Sequence, residues 1–225
     1  MVFWEFALAC AVCETRKEKR FCPAVHGRIC PICCGTEREV TLDCPSECGY
    51  LRQARRQERP PDLSGMDPSL YFAQVEIPED VVYRLESLIV GLGYAVSEAA
   101  RRERSLRDRD MIAILTALAR SYETLVNSNL VYEAPTANPV QQGISAELQK
   151  IIAEYRELET QQLGHATLRD ADVLQVLVFL LRLGLSRTSG RPHSRAFLDF
   201  VEQGFPRKES AIAGPQDSGS RLIIP

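Results

Sequence analysis

No cysteine follows Cys48 in this 225-residue chain, so the long remainder has neither disulfides nor thiol ligands to hold it and must fold on apolar burial. Catalytic signatures are missing as well. There is no phosphate loop, serine elbow or metalloprotease motif. Gly91-Leu92-Gly93 lacks the third glycine of a dinucleotide fingerprint and lies inside a helical pattern instead of after a strand. Neither His165 nor His193 has a glutamate three residues before it, as a di-iron bundle would require. No apolar run approaches the roughly 20 residues of a membrane helix, and DVLQVLVFLLRLGL carries Asp172, Gln175 and Arg182. The opening stretch MVFWEFALACAV has no basic n-region and is interrupted by Glu5, so it is expected to form a short strand or extended arm, not a signal peptide. Strong charge of either sign is absent too: a net charge of -3 and a pI near 5.7 give no global attraction to nucleic acid or anionic lipid. These absences point to a cytoplasmic, non-enzymatic protein with no membrane contact.

What is present is 45% hydrophobic and 25% charged residues, the composition of a folded protein. All eight cysteines fall between Cys10 and Cys48. They come in close pairs: Cys10-x-x-Cys13, Cys30-x-x-Cys33 and Cys44-x-x-x-Cys48, with Cys22-x-x-x-His26 as a fourth and Cys34 beside Cys33. Two thiolates two residues apart can face one ion from a tight turn, and two such pairs complete a tetrahedral zinc site. Disulfides staple small secreted domains that lack a core, and a redox CxxC accompanies a βαβ pattern; neither context exists here. One or two zinc ions are therefore expected. The expected first site is Cys30, Cys33, Cys44 and Cys48. Cys10, Cys13 and Cys22 would share a second with His26 or Cys34, and an interleaved arrangement would use the same residues with other partners.

The intervening residues suggest local structure. Pro31 and Gly35 suit a knuckle around Cys30 and Cys33, the segment 36–42 suits a short strand, and Pro45 with Glu47 opens a helix that continues through the basic stretch 49–59. Knuckle, strand and a helix whose first turn supplies ligands resemble the treble-clef and zinc-ribbon modules over residues 10–58. Arg52, Arg55, Arg56 and Arg59 fall along one face of that helix. Residues 1–60 hold ten Lys or Arg against eight Asp or Glu, a surplus of only two, so strong phosphate binding is not expected.

Residues 60–77 are rich in proline and turn formers and read as a linker and extended arm between a cysteine-rich module, 1–59, and a helical bundle, 78–205. Within the bundle, Val81, Leu85, Leu88, Leu92 and Ala95 recur at helical spacing; so do Met111, Leu115, Leu118, Tyr122 and Leu125, and Ile144, Leu148, Ile151, Tyr155 and Leu158. The fourth segment is apolar all round, as in a helix buried by its neighbours. Ser105 to Asp110 and Thr167 to Asp172 echo each other, SLRDRD against TLRDAD, and each opens an apolar helix with the spacing of a capping box. The expected fold is mainly α: a small zinc module, four main helices in two similar hairpins, and a short final helix capped by Ser194. A flexible tail, 206–225, ends in an apolar LIIP that suits a docking peptide or an added strand. The function expected is that of an adaptor or regulatory protein with a protein partner; a nucleic-acid-binding regulator and a thiol-based redox sensor are the alternatives.

Overall fold

The computed structural model describes residues 9–59, 61–132, 134–135 and 138–206. The expected roles of residues 1–8 and of the tail after 206 lie outside the described residues.

The cysteine-rich segment holds the only strand pair among the described residues. Strand β1, Arg20–Cys22, runs antiparallel to β2, Gly27–Ile29, with Cys22 opposite Gly27. Helix α1, Pro31–Thr36, follows at once, with Cys30 as its N-cap and Pro31 in its first turn, where a missing N–H costs nothing. The strand expected over 36–42 does not form. The Glu37 carbonyl instead gathers the amides of Val40, Thr41 and Leu42 into a turn, because no neighbouring strand is there to pair with it. Gly35 lies within α1, and the left-handed conformation that follows the helix falls to Glu39, at φ 56°. Helix α2, Gly49–Gln57, begins at Cys48.

The connecting arm is laid on the bundle. Two single turns, each capped by an aspartate that accepts from a serine amide (Asp62 from Ser64, Asp67 from Ser69), lead to Phe72, which is buried in the helical core. Arg182 fastens the arm by donating to the carbonyls of Tyr71, Phe72 and Val75 at 2.9, 2.6 and 2.8 Å.

The bundle follows the apolar periodicity, except that Leu158, expected on the core face, is exposed. Helices α3, Glu79–Arg84, and α4, Glu86–Arg102, meet at Leu85. Then come α5, Asp108–Ser128, α6, Pro139–Leu163, α7, Asp170–Arg187, and α8, Ala196–Gly204. The most extensive contact is α5 against α7, while α4 lies on α6 and α8. Thus each hairpin packs chiefly on the other, around Leu88, Leu92, Met111, Leu115, Leu148, Val173 and Leu177. Gly184 lets the Phe197 ring approach α7, since a Cβ there would stand 3.2 Å from it.

The two echoed segments open α5 and α7, but the caps sit two residues later than the spacing suggests. Arg107 and Arg169 are the N-cap residues, and their amides donate to Asp110 and Asp172 at 3.0 and 3.1 Å. Ser105 and Thr167 instead donate to Glu103 and Glu159. The halves then diverge. Asp108 is fully buried and accepts from the Ser194 hydroxyl at 2.7 Å and from the amides of Phe197 and Leu198, so α8 is capped from α5 and not by Ser194 alone. Asp172 is buried between Arg84 and Arg169. Burial would raise its carboxyl, but hydrogen bonds from Arg169 and Arg84 outweigh that and hold it well below the usual carboxylate range.

Asp172→Asn removes the negative charge and one of the two acceptor oxygens while both arginines keep access to water, so we expect a loss of about 2 kcal/mol at neutral pH. A carboxyl lowered in the folded state stabilises above its unfolded value of about 3.9 and loses that contribution as pH falls below it. The stability gap between wild type and variant, measured by denaturant unfolding, is therefore expected to be full at pH 7 and to narrow below pH about 4.

Candidate metal centre

Four thiols meet where the amino-terminal turn, the β2 exit and α1 converge. The ligand atoms of Cys10, Cys13, Cys30 and Cys33 all lie within 4.8 Å of one another. Cys10, Cys30 and Cys33 are buried and Cys13 is partly exposed. Local structure places each pair. The turn from Cys10 is closed by the Glu14 amide donating to the Cys10 carbonyl at 2.8 Å, with Glu14 in the left-handed region, and a bridge between Ala9 and Lys17 holds its base. On the other side Cys30 caps α1, and Cys33 is one turn on, on the same side of the helix.

Backbone amides point at the sulfurs. The Cys30 amide donates to Cys10 Sγ at 3.2 Å, the Val12 amide donates to it at 3.5 Å, and the Cys33 amide donates to Cys30 Sγ at 3.4 Å. Such donors favour thiolate. The Thr15 hydroxyl and amide, followed by the Arg16 amide, hold the Cys13 thiol down to about 5. Burial, then hydrogen bonding with Cys30, Cys13 and Cys10, pushes Cys33 up to about 12. The Arg16 guanidinium is held above its ordinary value by Cys30 and then by Cys13. A divalent ion at the centre of the four would satisfy all four sulfurs, and metal binding releases the thiol protons. Four cysteines in this arrangement are positioned to bind a metal ion.

The expected pairing of Cys30 and Cys33 with Cys44 and Cys48 is not the arrangement found. Cys30 and Cys33 face the Cys10 turn instead, because β1 and β2 fold that turn back over the start of α1. Cys22, Cys34, Cys44 and Cys48 lie outside the quartet, the first two buried and the last two partly so. His26 is exposed in the left-handed position of the β1–β2 turn, at φ 48°.

Of the arginine stripe, Arg52, Arg56 and Arg59 are exposed, but the fourth is not free. Arg55 is mostly buried and bridges two carboxylates, donating to Glu39 and to Asp199 of α8 at 2.6 Å each. Glu39 is completely buried; it accepts from Ser189 at 3.0 Å, and its carbonyl accepts from the His193 amide at 2.8 Å. Asp199 also accepts from the Ser46 hydroxyl at 2.8 Å, and Arg107 reaches Asp43 at 2.6 Å. These contacts dock the cysteine-rich segment on the bundle. Sequence reasoning missed Glu39 entirely, since a glutamate in a polar turn gives no periodicity or spacing to mark it.

No protein-family model matches the chain, and searches of the curated proteins and of the solved structures found no significant match.

Cys30→Ser removes a sulfur ligand while leaving a hydroxyl that can still cap α1. We expect it to lose one equivalent of bound metal, measured by elemental analysis, and to make residues 10–36 sensitive to protease while α5 and α7 remain resistant. Full metal content in this variant would contradict the quartet.

Proposed function

We propose that the protein is a non-enzymatic zinc protein whose cysteine-rich module is built by metal, docked on a helical bundle, and used with that bundle to bind a protein partner. The observation that carries this reading is the all-cysteine quartet. Zinc with four thiolate ligands has no open position for water or substrate, so it builds structure instead of performing chemistry. The order of elements supports a treble-clef-like description: a cysteine turn at 10–13, the β1–β2 hairpin, then a helix whose start supplies Cys30 and Cys33.

The adaptor role is supported by apolar side chains turned to solvent. Leu130, Val131 and Tyr132 follow α5 and are exposed. Val131 and Tyr132 line a depression of about 200 Å³ with Tyr122, Leu125 and Gln149. Contiguous exposed apolar groups of this kind are contact sites more often than ornaments of a monomer. Nucleic-acid binding is disfavoured by the fate of Arg55, which two carboxylates neutralise. The redox alternative rests on Cys13, a partly exposed thiol with a lowered pKa, but the same features serve a metal ligand.

The purified chain is expected to contain zinc, to capture a stoichiometric protein partner, and to lose that partner on Val131→Asp without losing zinc. On mixed oligonucleotides at physiological salt, binding is expected to stay at non-specific levels, about 10⁻⁴ to 10⁻⁶ M. Tight sequence-dependent binding abolished by changing Arg52, Arg56 and Arg59 to Glu would replace the adaptor reading with the nucleic-acid one.

A further inference from the structure

The four cysteines left out of the quartet are not scattered. Cys22 ends β1, Cys34 lies in α1, Cys44 stands in the loop before α2, and Cys48 is the α2 N-cap. All four line one narrow cavity of about 10 Å³, together with Leu42, Pro45 and Leu51. That volume is about one water-sized sphere, too small for any organic ligand. The residues are also chemically distinctive. A cavity this small in a module with few large side chains would ordinarily be closed by aliphatic groups, yet its wall includes four free thiols.

We propose that Cys22, Cys34, Cys44 and Cys48 form a second tetrathiolate metal site, interleaved with the first and of the class that takes Zn²⁺. The assignment goes beyond the first quartet and does not depend on the adaptor role. Two observations carry it beyond the cavity. The first is helical geometry: successive residues of a helix point about 100° apart, so Cys33 and its neighbour Cys34 face different sides of α1, one into each site. The second is a matching outer partner. Arg20 donates to Cys34 Sγ at 3.7 Å and its guanidinium stacks 4.5 Å over the Tyr50 ring, giving the second group of thiols the cationic neighbour that Arg16 gives the first.

Among the described residues, the first quartet alone brings its ligand atoms within 4.8 Å of one another, so the second is the more open of the two. Zn–S bonds of about 2.3 Å set tetrahedral sulfurs about 3.8 Å apart. Binding would draw the four inward by rotation between staggered wells of χ1, with thiol protons released to solvent. Its consequence is mechanical. The second site ties β1 and α1 to the start of α2, and α2 carries Arg55, which holds Glu39 and Asp199 at the bundle.

The test is metal stoichiometry on the full chain, prepared metal-free under reducing conditions and titrated with Co²⁺ alone, followed by sulfur-to-cobalt charge-transfer absorption and native mass. Wild type is expected to saturate at two equivalents. Cys48→Ser and Cys34→Ser are each expected to saturate at one, held by the first quartet, and Cys13→Ser at one, held by the second. Saturation of wild type at one equivalent, unchanged in Cys48→Ser and abolished in Cys13→Ser, would overturn the proposal and leave the first site standing. One equivalent kept in Cys13→Ser and lost in Cys48→Ser would instead overturn the first site and support this one. The wild-type value needs no variant to fold, and two variants on different elements guard against loss of structure in either.

Discussion

Four sulfurs converging on one point constrain the whole path of the chain from Ala9 to Thr36. The segment has little apolar material to fold on: apart from cysteines, its buried cluster contains Ile29 and Leu42 and few others. Burial of that size does not offset the entropy of ordering these 28 residues, at about 1–2 kcal/mol each for the backbone. A metal ion offers what the core cannot. Apparent binding free energies of about 10–16 kcal/mol for structural zinc are folding free energies when the site does not exist in the unfolded chain. The hairpin, the α1 cap and the amide-to-sulfur hydrogen bonds all follow from bringing the Cys10 turn to the start of α1.

A second constraint joins the module to the bundle, and it is electrostatic. Glu39, Arg55 and Asp199 form a largely buried chain of charge, extended by Ser189, Ser46 and Arg195. Burying such groups costs solvation that their attraction only partly returns, so the network contributes more to specificity of docking than to stability. It makes one orientation strongly preferred, because any other would strand Glu39 without a partner. The bundle needs no such aid, since α5 and α7 bury apolar faces against each other along their length.

The helices were legible from sequence because their apolar spacing is a local property. Leu88, Leu92, Leu115, Leu118 and Leu148 lie in the core for the same reason that they recur at three- and four-residue steps, whereas in α6 the buried residue is Ile152, one place on from the expected Ile151. The caps of α5 and α7 were legible only in outline: the acidic residues that accept are Asp110 and Asp172, and nothing local distinguishes them from Asp108 and Asp170. Pairing of cysteines was not legible. Spacing says which two thiols can share an ion, whereas the choice of second pair depends on where β1 and β2 turn the chain. The stripe from Arg52 to Arg59 was legible as a face, with Arg52, Arg56 and Arg59 exposed, but only the fold says that a carboxylate of α8 covers Arg55.

The central claim is that metal at the first quartet holds the module together while the bundle stands without it. Hydrogen exchange on the full chain, with metal bound and after chelation, tests it residue by residue. The account predicts that the amides of Ala11, Cys30, Cys33 and Cys34, bonded to Arg28, Cys10, Cys30 and Cys30, lose protection on chelation while those of α5 and α7 keep theirs. Protection of these module amides that survives chelation unchanged would contradict it.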